Sequence, residues 1–160
     1  MSARTVTELV RRDPPVVRDD TPLRDVVRLL LDQELPAVPV VDAAGRYAGI
    51  FGEREFIAAL FPRYVQSLSY AGFIPKPIEE VLEKRSEAAS EPIREHMNTE
   101  HVDVPAAASD IQIAETFLHH RVRVLPVTEN GRVVGIILRG DFMRALAERF
   151  LDHADERDAG

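Results

Sequence analysis

Two carboxylates stand at comparable places in this chain. Asp141 closes the run Val133 to Leu138 at the start of a helical pattern, and Glu55 stands in the same relation to Tyr47 to Phe51. An ionised carboxylate is an acceptor-only group, suited to hydroxyl or cationic partners, and at a helix start it also complements the helix dipole. Arginines lie nearby in sequence: Arg139 beside Asp141, Arg123 and Arg121 at the head of the preceding apolar run, and Arg54 beside Glu55. Each of these residues also has a purely structural account. Asp141 suits an N-cap, and the arginines suit surface pairs with local acids. His119 and His120 end a helical pattern, and Glu79 and Glu80 open one, where their charges are favourable without a metal or a reaction. No Ser-His-Asp order, metal-ligand spacing, phosphate-cradling glycine loop or cofactor fingerprint occurs, so the expectation is that the chain is not an enzyme.

The elements that must position these groups are read from hydrophobic period and turn residues. Val124 to Phe142, VLPVTENGRVVGIILRGDF, holds two aliphatic runs joined at Asn130-Gly131, which predicts a hairpin leading into a helix. The chain contains this pattern twice. Ala37 to Phe56, AVPVVDAAGRYAGIFGEREF, aligns with it so that Pro39 faces Pro126, Gly45 faces Gly131, Gly49 faces Gly135 and Phe56 faces Phe142. Before the hairpins the two copies stand 87 residues apart; beyond the turns they stand 86 apart, because Asp42-Ala43-Ala44-Gly45 is one residue longer than Glu129-Asn130-Gly131. A steady register broken by one turn deletion marks a duplicated unit.

Within each copy the expected order is strand, helix, strand, strand, helix. In the first, Val16 and Val17 form a short strand, and Thr21 caps a helix entered at Pro22. Leu23, Val26, Val27, Leu30 and Leu31 are its buried stripe. Val38 to Val41 and Tyr47 to Phe51 form the hairpin, and Glu53 to Phe61 a helix stopped by Pro62. In the second, Val102 to Val104 is the strand, and a helix near Asp110 to His120 opens on a Ser109/Gln112 capping box and buries Ile113, Ala114, Phe117 and Leu118. The hairpin and a helix from Asp141 to Leu151 follow. Between the copies, residues 62–92 read as an ordered helical insertion, with an amphipathic helix over Ile78 to Ala89; residues 152–160 read as a polar, fraying tail.

Composition bounds the function classes. With 45% hydrophobic residues the chain can build a real core, and a formal charge of -7 without a Lys/Arg block argues against nucleic acid and anionic membrane as partners. No cysteine is present, which removes disulfides, thiol catalysis and thiolate metal sites. No signal-peptide pattern or spanning apolar run occurs, so the location expected is cytoplasmic.

Each copy, with Pro-Val on its second strand and a glycine six residues before an acid, resembles a cystathionine-β-synthase (CBS) domain, and the two in tandem resemble the CBS pair, or Bateman module. The resemblance covers units at 5–61 and 93–151. It implies an α/β (α+β) fold of two β-α-β-β-α units packed through their sheets about a pseudo-two-fold axis, with two clefts between them. It also implies a homodimer and, in a cleft, AMP, ADP, ATP or S-adenosylmethionine as a regulatory ligand, with no required cofactor or metal. The family's nucleotide motif, Gly, two hydrophobics, Thr or Ser, two variable residues and Asp, maps onto Gly135, Ile136, Ile137, Leu138, Arg139, Gly140 and Asp141. By that mapping Asp141 holds both ribose hydroxyls, Arg139 and Arg123 face phosphate, and Val124, Pro126 and Ile136 flank adenine. Leu138 replaces the hydroxyl residue. The first copy departs further, with Gly52 in the hydroxyl position and Glu55 at the acid, so the Asp141 site is the favoured one. The function expected is a regulatory module that senses an adenine nucleotide and signals through dimer geometry to an unknown effector protein. The alternative is a docking and dimerisation module with degenerate clefts.

Overall fold

The computed structural model describes residues 6–61 and 77–160, and these divide into two α/β units. One is Val16–Glu100; the other joins residues 6–15, which form the short helix α1 (Val6–Leu9) and the strand β1 (Arg11–Arg12), to His101–Gly160. The apolar residues expected to order positions 64–73 of the insertion lie outside the described residues.

In the Val16–Glu100 unit, β2 (Val17–Arg18) pairs in parallel with β3 (Ala37–Val41), which pairs antiparallel with β4 (Tyr47–Gly52). Helix α2 (Leu23–Gln33) crosses between β2 and β3, and α3 (Glu53–Leu60) follows β4. Leu23, Val26, Val38, Val40, Phe51, Ala59, Ala88 and Ile93 form the core. Two details of α2 differ from the sequence reading. Thr21 does not cap: its carbonyl accepts the Ile93 amide at 2.8 Å, and the helix opens one residue later behind an extended Pro22 with no side-chain cap. Leu31 is not part of the buried stripe but is 73% exposed, with Leu29 packing on the core in addition to Val27 and Leu30. The helix ends on Glu34 in the left-handed region, where the Glu34 and Leu35 amides reach the Leu31 and Leu30 carbonyls and Leu35 is buried. Residues expected in the insertion form α4 (Ile78–Arg85) and a 3₁₀ turn, Ser86–Ser90.

In the second unit β5 (Val104–Pro105) lies parallel to β6 (Val124–Glu129), β6 pairs antiparallel with β7 (Arg132–Leu138), and β1 runs antiparallel along the far edge of β7, giving the sheet order β1-β7-β6-β5. Asn130 and Gly131 both take positive φ, as a two-residue hairpin turn demands. In the longer first turn only Gly45 does so, and the Asp42 carboxylate accepts the Ala44 and Arg46 amides. Both hairpins shift register at matching places, Val40/Val41 and Val127/Thr128, so the duplication extends to the bulge.

Helix α5 (Asp110–His119) opens on the expected box: Ser109 Oγ accepts the Gln112 amide and Gln112 Oε1 accepts the Ser109 amide. Ile113 is buried and Phe117 stacks at 5.5 Å on Phe142, but Leu118, expected on the buried stripe, is 81% exposed. The last helix, α6 (Arg139–Ala159), runs on through the segment expected to fray. DHADERDA contains no glycine or proline, and Arg149 of this helix binds Asp110 of α5 at 2.6 Å. No helix among the described residues is long and apolar enough to cross a membrane.

The chain enters the second unit before it builds the first. Residues 6–15, expected to open the first copy, pack with the second, where Leu9 joins Val102, Val104, Ile113, Leu125, Val127, Ile137 and Phe142 in the core. Residues 93–100, expected to open the second copy, pack with the first; Ile93 is in its core and Asn98 bridges Ile50. Each hairpin leaves its outer strand with an open edge, and the segment leading into the other copy satisfies those backbone groups.

Candidate functional site

The crossing segments explain the glycines of the repeated motif. A Cβ on Gly135 would stand 2.5 Å from Val10 Cγ1 and 3.2 Å from the Arg11 carbonyl, so glycine here admits β1. Gly49 plays the same part: a Cβ there would stand 2.5 Å from the Asn98 carbonyl oxygen. Gly52, in the position of the family's hydroxyl residue, lies against the start of the preceding strand, where an added Cβ would come within 2.6 Å of both Pro36 O and Ala37 Cβ. No hydroxyl side chain fits there without moving Pro36.

Asp141 is the third residue of α6, not its N-cap; Leu138 is the cap residue and offers no side-chain bond. The Asp141 side chain is 32% exposed and turns across the sheet edge to Arg11. Arg11 donates from Nε at 3.3 Å and from Nη2 at 3.1 Å, both to Oδ2. The register Arg11↔Ile136 carries this side chain toward the start of α6. Gly140, beside the acid, has open space where a side chain would be. Arg123 and Arg139 are exposed and are brought together by the Arg139 amide, which donates to the Arg123 carbonyl at 2.9 Å. Val124, Pro126 and Ile136 are buried, and strand alternation sets them on the sheet face opposite Leu125, Val127 and Ile137, which pack on the helices. Arg123, Arg139 and Asp141 thus stand near one another along the backbone at the junction of β6, β7 and α6, while the side-chain partner of Asp141 is Arg11.

The first copy is built differently at the matching place. Glu55 Oε1 accepts the Gly52 amide at 3.0 Å, so this carboxylate closes the start of its own helix. Arg54 is exposed in the first turn of α3, and Arg121 is exposed just ahead of β6. At the shift of 87 residues Arg11 corresponds to Asn98, whose side chain accepts the Glu100 amide instead of meeting an acid. The paired cation and carboxylate occur at one of the two matching places.

Two other features are not marked by the sequence. A 330 Å³ cavity in the second unit lies between β5 and α5, lined by Asp103, Pro105, Gln112, Thr116 and His119; none of the expected ligand residues faces it. Glu91, Glu95 and His96 bring candidate metal-ligating atoms within 4.8 Å of one another, and His96 shares a 2.8 Å hydrogen bond with Glu91. Sequence reasoning misses Arg11 as well, because residues 5–15 read as the lead-in to the first copy. The signal that could have found it is the repeat itself, which sets Val10-Arg11 against Met97-Asn98.

The CBS domain pattern matches twice, at residues 6–62 and 93–148. Over 154 residues the chain is 27% identical to the uncharacterized protein MJ1426 of Methanocaldococcus jannaschii, covering 86% of this chain and 88% of that one. A 57-residue stretch is 40% identical to inosine-5'-monophosphate dehydrogenase of Streptococcus pyogenes, but spans 34% of this chain and 12% of the enzyme. The crystal structure of CBSX2 in complex with AMP, a protein of Arabidopsis thaliana, superposes with a TM-score of 0.65 at 20% identity, covering 90% of this chain and 96% of that one. The chain belongs to the CBS domain family and carries two CBS domains in tandem, a Bateman module.

Proposed function

We propose that this CBS pair is a regulatory module that binds an adenine nucleotide or related adenosyl ligand at the start of α6 and passes occupancy to an effector protein through the geometry of a homodimer. The observation that carries this reading is Asp141: a partly exposed carboxylate in the first turn of a helix, following the family's glycine at the family's spacing. Its oxygens can accept both ribose hydroxyls, and the first-turn amides beside an open Gly140 favour phosphate. The AMP complex of CBSX2, a protein of like fold, gives the ligand class its support. AMP, ADP, ATP and S-adenosylmethionine are the ligands to try. Binding shifts the module's conformational equilibrium only by the difference in its affinity for the two states.

A thermal-shift panel of these four compounds tests the reading. Ligand at about 100 times its dissociation constant adds roughly 2.7 kcal/mol, which raises the midpoint of a chain this size by about 5 to 10 °C. Asp141→Ala should abolish the shift and Glu55→Ala should keep most of it. Equal losses in the two variants would refute the choice of Asp141. No shift with any compound would leave the second reading, a docking and dimerisation module. That reading has its own support in Leu138, which supplies no hydroxyl, and in Glu55, which is committed to its helix start.

A further inference from the structure

The Arg11–Asp141 pair has a geometry that a purely structural ion pair does not need. Both donors of Arg11 converge on a single carboxylate oxygen, Oδ2, where two parallel bonds to two oxygens are the stronger and commoner arrangement. Among the described residues, Asp141 Oδ1 accepts no hydrogen bond and Arg11 Nη1 donates none. The pair therefore offers an acceptor and a cationic donor side by side. Its side chains are 51% and 32% exposed, so the attraction is screened and worth little, on the order of a surface pair. Such a contact exchanges readily for a better partner. It is held at the rim of the site by β1, which is fixed by backbone pairing to β7 and by the close passage over Gly135.

We propose that Arg11 is a specificity-determining residue of the Asp141 site, selecting adenosine ligands that carry a 5'-phosphate. The inference rests on the nucleotide reading of Asp141. As the chain is folded, Arg11 occupies one of the two carboxylate oxygens that the paired ribose hydroxyls need. A phosphorylated ligand resolves this competition: its hydroxyls take Asp141 while its phosphate takes the guanidinium, which is suited to forked binding of phosphate oxygens. Adenosine must displace Arg11 and gives it nothing in return. S-adenosylmethionine puts a sulfonium cation where the 5'-phosphate would stand and carries its carboxylate several bonds farther from the ribose, so it offers the guanidinium no anion at that place. The matching place in the first copy, with Asn98 and Glu55, lacks the cation and so lacks the discrimination.

The test is calorimetric titration of the full chain with AMP, adenosine and S-adenosylmethionine, for the wild type, Arg11→Gln and Arg11→Lys. Wild type should prefer AMP to adenosine by about a hundredfold, as the loss of a charge-assisted phosphate contact implies. Arg11→Gln should lose about tenfold or more for AMP and gain several-fold for adenosine, because the carboxylate is released. Arg11→Lys should keep the preference for AMP in weakened form. Unliganded melting midpoints within about 2 °C of wild type would show that the exposed pair was not holding the fold. If Arg11→Gln weakens AMP and adenosine equally, or neither, the proposal is overturned while the nucleotide reading stands. If wild type binds none of the three, both fall together.

Discussion

Leu138 stands where the family's motif has a hydroxyl residue, and its position gives the departure a measurable effect. It is the extended N-cap of a 21-residue helix, with no side-chain oxygen to accept the amide of Gly140 or Asp141. Leu138→Thr supplies that oxygen, which adds about 1 kcal/mol as a cap, and removes part of a half-buried aliphatic side chain, which costs about as much. The expected outcome is a melting midpoint within a few degrees of wild type and a several-fold tighter AMP complex, checked by calorimetry. Unchanged affinity would mean that the ribose does not reach the helix start. The mirror experiment is closed to the first copy, since Gly52 already lies against Pro36 and Ala37.

At the scale of elements, the crossing segments make the two motif glycines unequal. Gly49→Ala would drive a methyl group into the Asn98 carbonyl oxygen, which is backbone in a bridge to Ile50 and cannot turn aside. Gly135→Ala meets a Val10 methyl group first, and a side chain can move. Overpacking of this kind costs about 1 to 3 kcal/mol, so Gly49→Ala should sit near the upper end and Gly135→Ala near the lower. Urea melts that reverse the order would show that the segments do not bind as described. The same segments mark the limit of what can be read from sequence. Hairpins, the Asn130-Gly131 turn, the Ser109 box and the core periodicity are legible because each is decided by residues close in the chain. The association of Leu9 and Arg11 with the second copy is not, because β1 is two residues long and its pairing is set by the free edge of a strand more than a hundred residues away. Leu31 and Leu118 mislead for a related reason: their period is helical, but hydrophobic period alone does not separate a core face from an exposed apolar one.

At the scale of the whole molecule, those two leucines belong to a repeated set. Leu31 and Leu118 are 73% and 81% exposed at matching positions of the copies, and Ile57 and Met143, also matched, are 58% and 64% exposed. Each CBS unit thus leaves the same two apolar positions in water, and a homodimer that covered them would remove this apolar surface from solvent. Leu118→Asp is expected to convert the dimer to monomer in sedimentation velocity. In a two-fold dimer the change enters twice, and losing a buried leucine at about 2 kcal/mol each weakens association by roughly a thousandfold. A wild-type monomer at the same concentration would refute the dimer. Arg11→Gln serves as the neutral control, since it alters the ligand site and not these positions.

The docking of residues 6–15 with residues 101–160 has a consequence for synthesis. Arg11 leaves the ribosome 130 residues ahead of Asp141, which at about 5–20 residues per second is a wait on the order of ten seconds. Over that interval the first copy can assemble its sheet, but residues 6–15 have no strand to join and must stay out of competing pairings. Its two adjacent arginines, both exposed, keep it from templating aggregation while it waits. The Arg11–Asp141 pair accordingly forms only after Asp141 has been made, so a ligand that binds there can stabilise the folded unit but cannot guide the synthesis that precedes it.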